Sequence, residues 1–149
     1  MCADTSQRSS TDPFHLGRFV LAQERVYSHV LSELRAGEKM SHWMWFIFPQ
    51  VHGLGLSPIS IEYAISSRNE AHAYLQHPLL GPRLKECTQL VLQVEGRSAL
   101  EIFGEPDDIK FRSSMTLFAQ VSSNDDIFQR ALDKYFDGAP DQLTLQRLS

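Results

Sequence analysis

The sequence predicts an all-α protein folded as one compact multihelical domain, and three observations carry that expectation. Apolar residues recur at three- and four-residue spacings through most of the chain, the pattern of helices that bury one face. Helix starts and stops punctuate those runs, with Asp12-Pro13, Ser67-Arg68-Asn69-Glu70 and Ser98-Ala99-Leu100-Glu101 at beginnings and Gly37, Gly96, Gly104 and Gly138 at ends. No alternating strand pattern longer than four residues competes, and no fixed-period repeat points to a solenoid.

Taken in order, residues 1–11 are polar, small and aperiodic and read as a disordered leader. Residues 12–149 form the single helical domain. Asp12 caps and Pro13 opens a helix over about 13–36, whose stripe is Phe19, Val20, Val26, Tyr27, Val30, Leu31 and Leu34, stopped by Gly37. The aromatic run after it fits a short buried strand or about one and a half helical turns; Ser41 as N-cap and Pro49 as stop tilt it to helix. Val51 to Leu56 is a loop in which Gly53 and Gly55 serve turns, without the ordered spacing and lysine of a phosphate-binding loop. Ser57-Pro58 restarts a short helix to about Ile65. The capping box at Ser67 opens a helix that presents Ala71, Tyr74 and Leu75 and stops at Pro78. The next starts near Leu79 to Pro82, with Leu84, Cys87, Val91 and Val94 inward and Gly96 as its stop. A second capping box at Ser98 opens a turn closed by Gly104. Pro106, at a first helical position, begins a helix with Phe111, Met115, Phe118 and Ala119 on its apolar face. Asn124 caps another, with Phe128, Ala131, Leu132 and Tyr135 inward, and Asp141 caps a last one carrying Leu143, Leu145 and Leu148. The total is about seven or eight helices.

Composition bounds the function. A chain of 149 residues with 42% hydrophobic and 21% charged residues is large enough to bury one real core and too small for two. A formal charge of −4 argues against a general nucleic-acid binder, which needs a basic surface to displace counterions. Cys2 and Cys87 are too few for a disulfide framework or a cysteine zinc site, so the thiols read as reduced and the protein as cytoplasmic. No stretch approaches the roughly 18 apolar residues of a membrane span, and no secretory h-region is present.

The candidate chemistry concentrates in Ser41-His42-Trp43-Met44-Trp45-Phe46-Ile47-Phe48-Pro49-Gln50, which holds both tryptophans, a histidine and a glutamine among apolar neighbours. Burying such a run requires partners for His42, Gln50 and two indole N–H groups, so the segment is either a polar network inside a core or the wall of a pocket. His42 is the candidate acid/base, with a core histidine bonded to a carbonyl as the bland alternative. Gln50 suits a ligand amide or base edge, or simply ties down its loop. Trp43 and Trp45 diverge by about 200° on a helix, so only one of them would touch a ligand there. A second constellation follows Pro106. On a helix, Asp107, Lys110 and Ser114 share one face while Asp108, Arg112 and Thr116 share another. Surface ion pairs and hydroxyls bonded back to the helix account for it blandly. Functionally, Lys110 or Arg112 would bind an anion and Ser113, Ser114 or Thr116 would add donors. The six histidines lack ligand spacing, no nucleophile elbow is present, and neither a metal nor another cofactor is called for.

The stretches SHWMWFIFPQ, YAI, EAHAYLQHPLLGPRLKEC, GRSALEIFGEPDDIKFRSSMTLF and FDGAPDQLTLQRL together resemble the domain family numbered eighteen-ten among the domains of unknown function. The resemblance covers about Asp12 to Leu148 and implies a multihelical single domain. It marks Ser41, His42, Trp45, Pro49, Gln50, Asp107, Lys110, Ser113 and Ser114 as motif residues. Members of that family are often labelled calpastatin, a name that does not transfer, because such an inhibitor is repetitive and disordered whereas this chain has a core. Two readings of function stand side by side. In one, the protein is an enzyme acting on a small phosphorylated or nucleotide-type metabolite: Trp43 or Trp45 stacks a ring, His42 moves protons, and Lys110 or Arg112 holds phosphate. Fold-level analogy with the NADAR domains, small helical proteins that process ADP-ribosyl compounds, points the same way. In the other, the same residues anchor a metabolite or partner protein without turnover. Convergence of His42, Gln50 and Lys110 on one open pocket would favour the enzyme.

Overall fold

A computed structural model describes residues 12–123 and 127–148, and among them lie ten helices and no strand. They are α1 Gly17–Glu24, α2 Tyr27–Ala36, α3 Met44–Ile47, α4 Pro58–Glu62, α5 Arg68–Gln76, α6 Leu80–Gln93, α7 Ala99–Phe103, α8 Asp107–Val121, α9 Ile127–Phe136 and α10 Gln142–Leu148. The all-α expectation holds. The expected count of about seven or eight is close, since seven of the ten have seven or more residues and the first expected helix is split in two. Asp12 is not the N-cap and Pro13 does not open the helix: Leu16 is the N-cap, and the Asp12 carboxylate accepts from the N–H groups of Leu16 and Gly17 at that later start. His15, at φ 55°, blocks helix before that point. A second break at Arg25–Val26 separates α1 from α2.

Two long helices frame the molecule. α8 packs against α5, α7, α9 and α10, and α6 packs against α2, α3, α5 and α9. The core between them is aromatic: Phe111 of α8 is fully buried and meets the rings of Phe48 at 5.0 Å and Phe103 at 4.6 Å. Crossing of α5 and α6 is tight enough that a Cβ on Gly81 would stand 2.2 Å from the carbonyl oxygen of Leu75, so only glycine fits there. Lys134 of α9 donates to the carbonyls of Leu92 and Val94, a cation at the carbonyl end of α6 where the helix dipole favours it.

Most caps fall where the sequence places them. Ser57 and Ser67 each accept from the N3 amide of their helix, the Ser98–Glu101 capping box is complete, and Asp141 accepts from Thr144 N–H at 3.0 Å. At Ser67 only half of the box forms, because Glu70 turns its carboxylate to Ser66 and Arg18. Pro106 is the N-cap of α8 rather than its first residue. In α10 the buried residue is Thr144, while Leu143 is exposed. The expected leader over residues 1–11 and the Asn124 cap lie outside the described residues.

The loop between α3 and α5 shapes the surface that matters below. Its ends are clipped by a single parallel bridge between Val51 and Ile65, with Ile65 N–H donating to Gln50 O and His52 N–H to Ile65 O. Arg18 fastens the return leg through Glu62 O and Ala64 O and anchors itself on Glu70 at 2.9 Å. Gly53 turns the chain at φ 88°, and Gly55 packs so closely on Ser60 that a Cβ would sit 2.7 Å from the serine Cβ. Short helix α4 is thereby held near α3, with the ring of its C-cap Tyr63 4.8 Å from that of Phe46.

Candidate functional site

The tryptophan segment folds as the helical reading expects, but with one turn and a different cap. Trp43 is the N-cap of α3, and Ser41 engages elsewhere. Glu33, in the last turn of α2, accepts from Met40 N–H at 2.7 Å, Ser41 N–H at 3.1 Å, Ser41 Oγ at 2.6 Å and Trp43 Nε1 at 2.8 Å. Burial pulls the Glu33 carboxyl upward, yet the bonds from Ser41, Met40 and Trp43 outweigh it and hold the group below its ordinary value. Trp43 is fully buried. Ser41 and Trp43 therefore hold the approach to α3 in place.

Trp45 points the other way, as two residues on one helical turn must. It is half-buried, and its Nε1 is shielded from solvent with no hydrogen-bond partner. Beside it opens a pocket of about 540 Å³ of empty space, solvent at its mouth included. Met44, Trp45 and Phe48 form one wall; Gln50 and Val51 follow from the clipped loop end. His52, Gly53 and Gly55 edge it, Ile61, Tyr63 and Ala64 close it from the α4 side, and Lys110 reaches in from α8. The Gln50 carboxamide makes no hydrogen bond among the described residues, so two donors and an acceptor stay open to the pocket. The lining includes no carboxylate and no cysteine.

Lys110 sits between two hollows. Its Nζ lies 5.3 Å from the centre of the Trp45 ring and 3.6 Å from Asp107 Oδ1. On the far side Asp107 Oδ2 pairs at 2.8 Å with Lys39, whose Nζ lies 5.2 Å from the Trp43 ring. Each tryptophan thus carries a lysine on its face, and one aspartate joins the two cations. The second hollow is a groove lined by Lys39, Ser41, His42, Glu105 and Asp107, and it shares Met44, Trp45 and Lys110 with the pocket.

His42 is exposed rather than a core histidine, and it lines the groove rather than the pocket beside Trp45. Lys110 lines the groove with His42 and the pocket with Gln50; His42 and Gln50 do not line the same hollow. Of the remaining residues singled out in the sequence, Arg112 donates to the carbonyls of Ala139 at 2.9 Å and Pro140 at 3.2 Å, which pins the approach to α10. Ser113 Oγ bonds back to Ile109 O, and Thr116 Oγ1 bonds back to Arg112 O while accepting from Asp141 N–H. Ser114 is fully buried with its hydroxyl unpartnered, one turn along α8 from Lys110 and outside the lining of both hollows. Cys87 is a core residue whose thiol burial pushes up to about 12. Among the described residues no group of three or more His, Cys, Asp or Glu side chains is arranged to hold a metal ion, and no helix is long and apolar enough to cross a membrane. What sequence reasoning missed is the outer wall from α4, and the signal for it was the paired glycines followed by the Ser57-Pro58 helix start.

Comparison with known proteins places this architecture. A family described as protein of unknown function (DUF1810) matches residues 13–148. The crystal structure of the conserved hypothetical protein Rv1873 from Mycobacterium tuberculosis superposes with a TM-score of 0.91 at 59% sequence identity, covering 92% of this chain and 98% of that one. No curated protein matches the chain.

Proposed function

The chain belongs to this family of unknown function, DUF1810, and from its geometry we propose that it binds a small phosphorylated or nucleotide-type metabolite in the pocket of Trp45, Gln50 and Lys110. One observation carries the reading: an open carboxamide and an ammonium group share a concave space that is mainly apolar and aromatic, with His52 and Ser60 as its further polar side chains. Such a site stacks or edges a planar ring against Trp45 and Tyr63, reads its donor and acceptor edge with Gln50, and attracts a negative group to Lys110. Binding is the first reading because, among the described residues, no two side chains of the lining, His52 included, are hydrogen-bonded to each other as a nucleophile or base and its partner would be.

An enzyme reading survives in a narrower form. The groove that holds His42 shares Met44, Trp45 and Lys110 with the pocket. A metabolite longer than one ring would lie across Lys110 and bring its far end to His42, whose imidazole can donate or accept a proton. The two readings separate on His42.

Thermal unfolding with a panel of nucleotides, NAD, ADP-ribose and sugar phosphates tests the proposal. A ligand at one hundred times its dissociation constant stabilises by about 2.7 kcal/mol, which moves the midpoint by several degrees. The expected result is a selective rise in the wild type that Gln50→Ala abolishes and His42→Ala leaves in place. With the ligand in hand, a product that wild type forms and His42→Ala does not would establish the enzyme. No rise with any compound, or a rise indifferent to Gln50, would overturn the site.

A further inference from the structure

We propose that Arg147 is the specificity-determining residue of this pocket, holding the phosphate of its ligand at the loop edge; the inference rests on the small-molecule reading above. Gly53 is part of the pocket edge. A Cβ built on it would stand 2.7 Å from both Cζ and Nε of Arg147 and 3.0 Å from its second terminal nitrogen. The guanidinium is therefore seated directly on the backbone of the pocket rim, in the space any side chain at position 53 would fill. The positive φ of Gly53 keeps that seat open independently.

Arg147 lies in the last turn of α10, is exposed, and makes no hydrogen bond or ion pair among the described residues. Its situation contrasts with Arg18 and Arg112, whose guanidinium groups are engaged by carbonyls of distant segments. A free guanidinium presents a planar fork of donors that matches phosphate oxygens in pairs. The pocket needs such a group, because Lys110 already shares its charge with Asp107. An incoming phosphate that met Lys110 alone would face a cation half-compensated by a carboxylate. Arg147 supplies the second, uncompensated positive charge, and Gln50 remains the reader of the ring.

Matched pairs that differ only in phosphate test this: adenosine with AMP, nicotinamide riboside with its 5′-phosphate, and ribose with ribose 5-phosphate, each titrated calorimetrically. Wild type should bind the phosphorylated member of at least one pair more tightly. Arg147→Gln should unfold at the same temperature as wild type, lose on the order of tenfold in affinity for the phosphorylated member, and leave the other member unchanged. Arg147→Lys should fall between, and added salt should erode the preference in wild type more than in Arg147→Gln. Gln50→Ala should weaken both members. If Arg147→Gln keeps the phosphate preference, or weakens both members alike, the proposal is overturned while the pocket stands. If no member of any pair binds, both readings fall together.

Discussion

Trp43 and Trp45 are two residues apart, and each has a lysine on its ring, yet their surroundings differ in every other respect. Trp43 is sealed in the core with its N–H on Glu33, and the loop leading to it places three further donors on the same carboxylate. Trp45 stands half-exposed with its N–H unpartnered, beside a glutamine whose amide is open and a lysine only loosely held. The first region has its polar groups satisfied internally, as a folded core requires. The second leaves polar groups unanswered at a concave surface, as the proposed ligand site requires. Hydrogen-bond accounting, more than residue type, separates scaffold from site.

The widest gap between the two regions should come from truncation. Trp43→Ala is expected to cost about 3–5 kcal/mol, as for a large aromatic deleted from a sealed core, and urea denaturation measures it. A cost near zero would mean that the Glu33 side is not scaffold. Glu33→Ala should cost about 1–3 kcal/mol near neutral pH by stranding several donors. Because the folded carboxyl sits below its ordinary value of 4.5, its contribution is complete above that value and disappears as pH falls through the folded pKa. The difference in stability between wild type and Glu33→Ala should therefore stay flat from neutrality down to about that range and narrow below it. A gap that does not change with acid would remove the carboxylate from the account.

Matched phenylalanines sharpen the comparison further. Trp43→Phe removes a bonded N–H and Trp45→Phe an unbonded one, so the first should destabilise by at least about 1 kcal/mol more than the second. Equal costs would dissolve the distinction between the two rings. The smallest effects belong to Gln50→Ala and Lys110→Ala, each expected within about 0.5 kcal/mol of wild type in the free protein, as for surface groups with few partners. A large loss at either would make it a structural residue.

Periodicity and capping residues made most helices legible, since the stripes of α2, α6, α8 and α9 and the caps at Ser57, Ser67, Ser98 and Asp141 are local signals. The break at Arg25–Val26 was not legible, because apolar spacing continues through it. The site was half legible. The density of aromatic and polar types in 41–50 singled out the segment that forms one wall of the proposed pocket, and the 200° divergence expected of the tryptophans matches their different surroundings. Which tryptophan faced outward depended on Glu33, whose bonds reach across to a segment the sequence does not place beside it. One clue was available: a glutamate in the last turn of a helix opposes the dipole and implies a partner. Arg112 and Ser113 resembled ligand groups by type, but their partners, Ala139, Pro140 and Ile109, show them committed to the fold.

The most direct measurement uses the fact that these are the only two tryptophans in the chain. In Trp43→Phe the sole indole is Trp45, and its fluorescence should change saturably on titration with a phosphorylated, nucleotide-type compound that raises the unfolding temperature of wild type. Adding Gln50→Ala should remove the change. An emission that stays constant while that compound still binds would place the ligand elsewhere and contradict the Trp45–Gln50–Lys110 site.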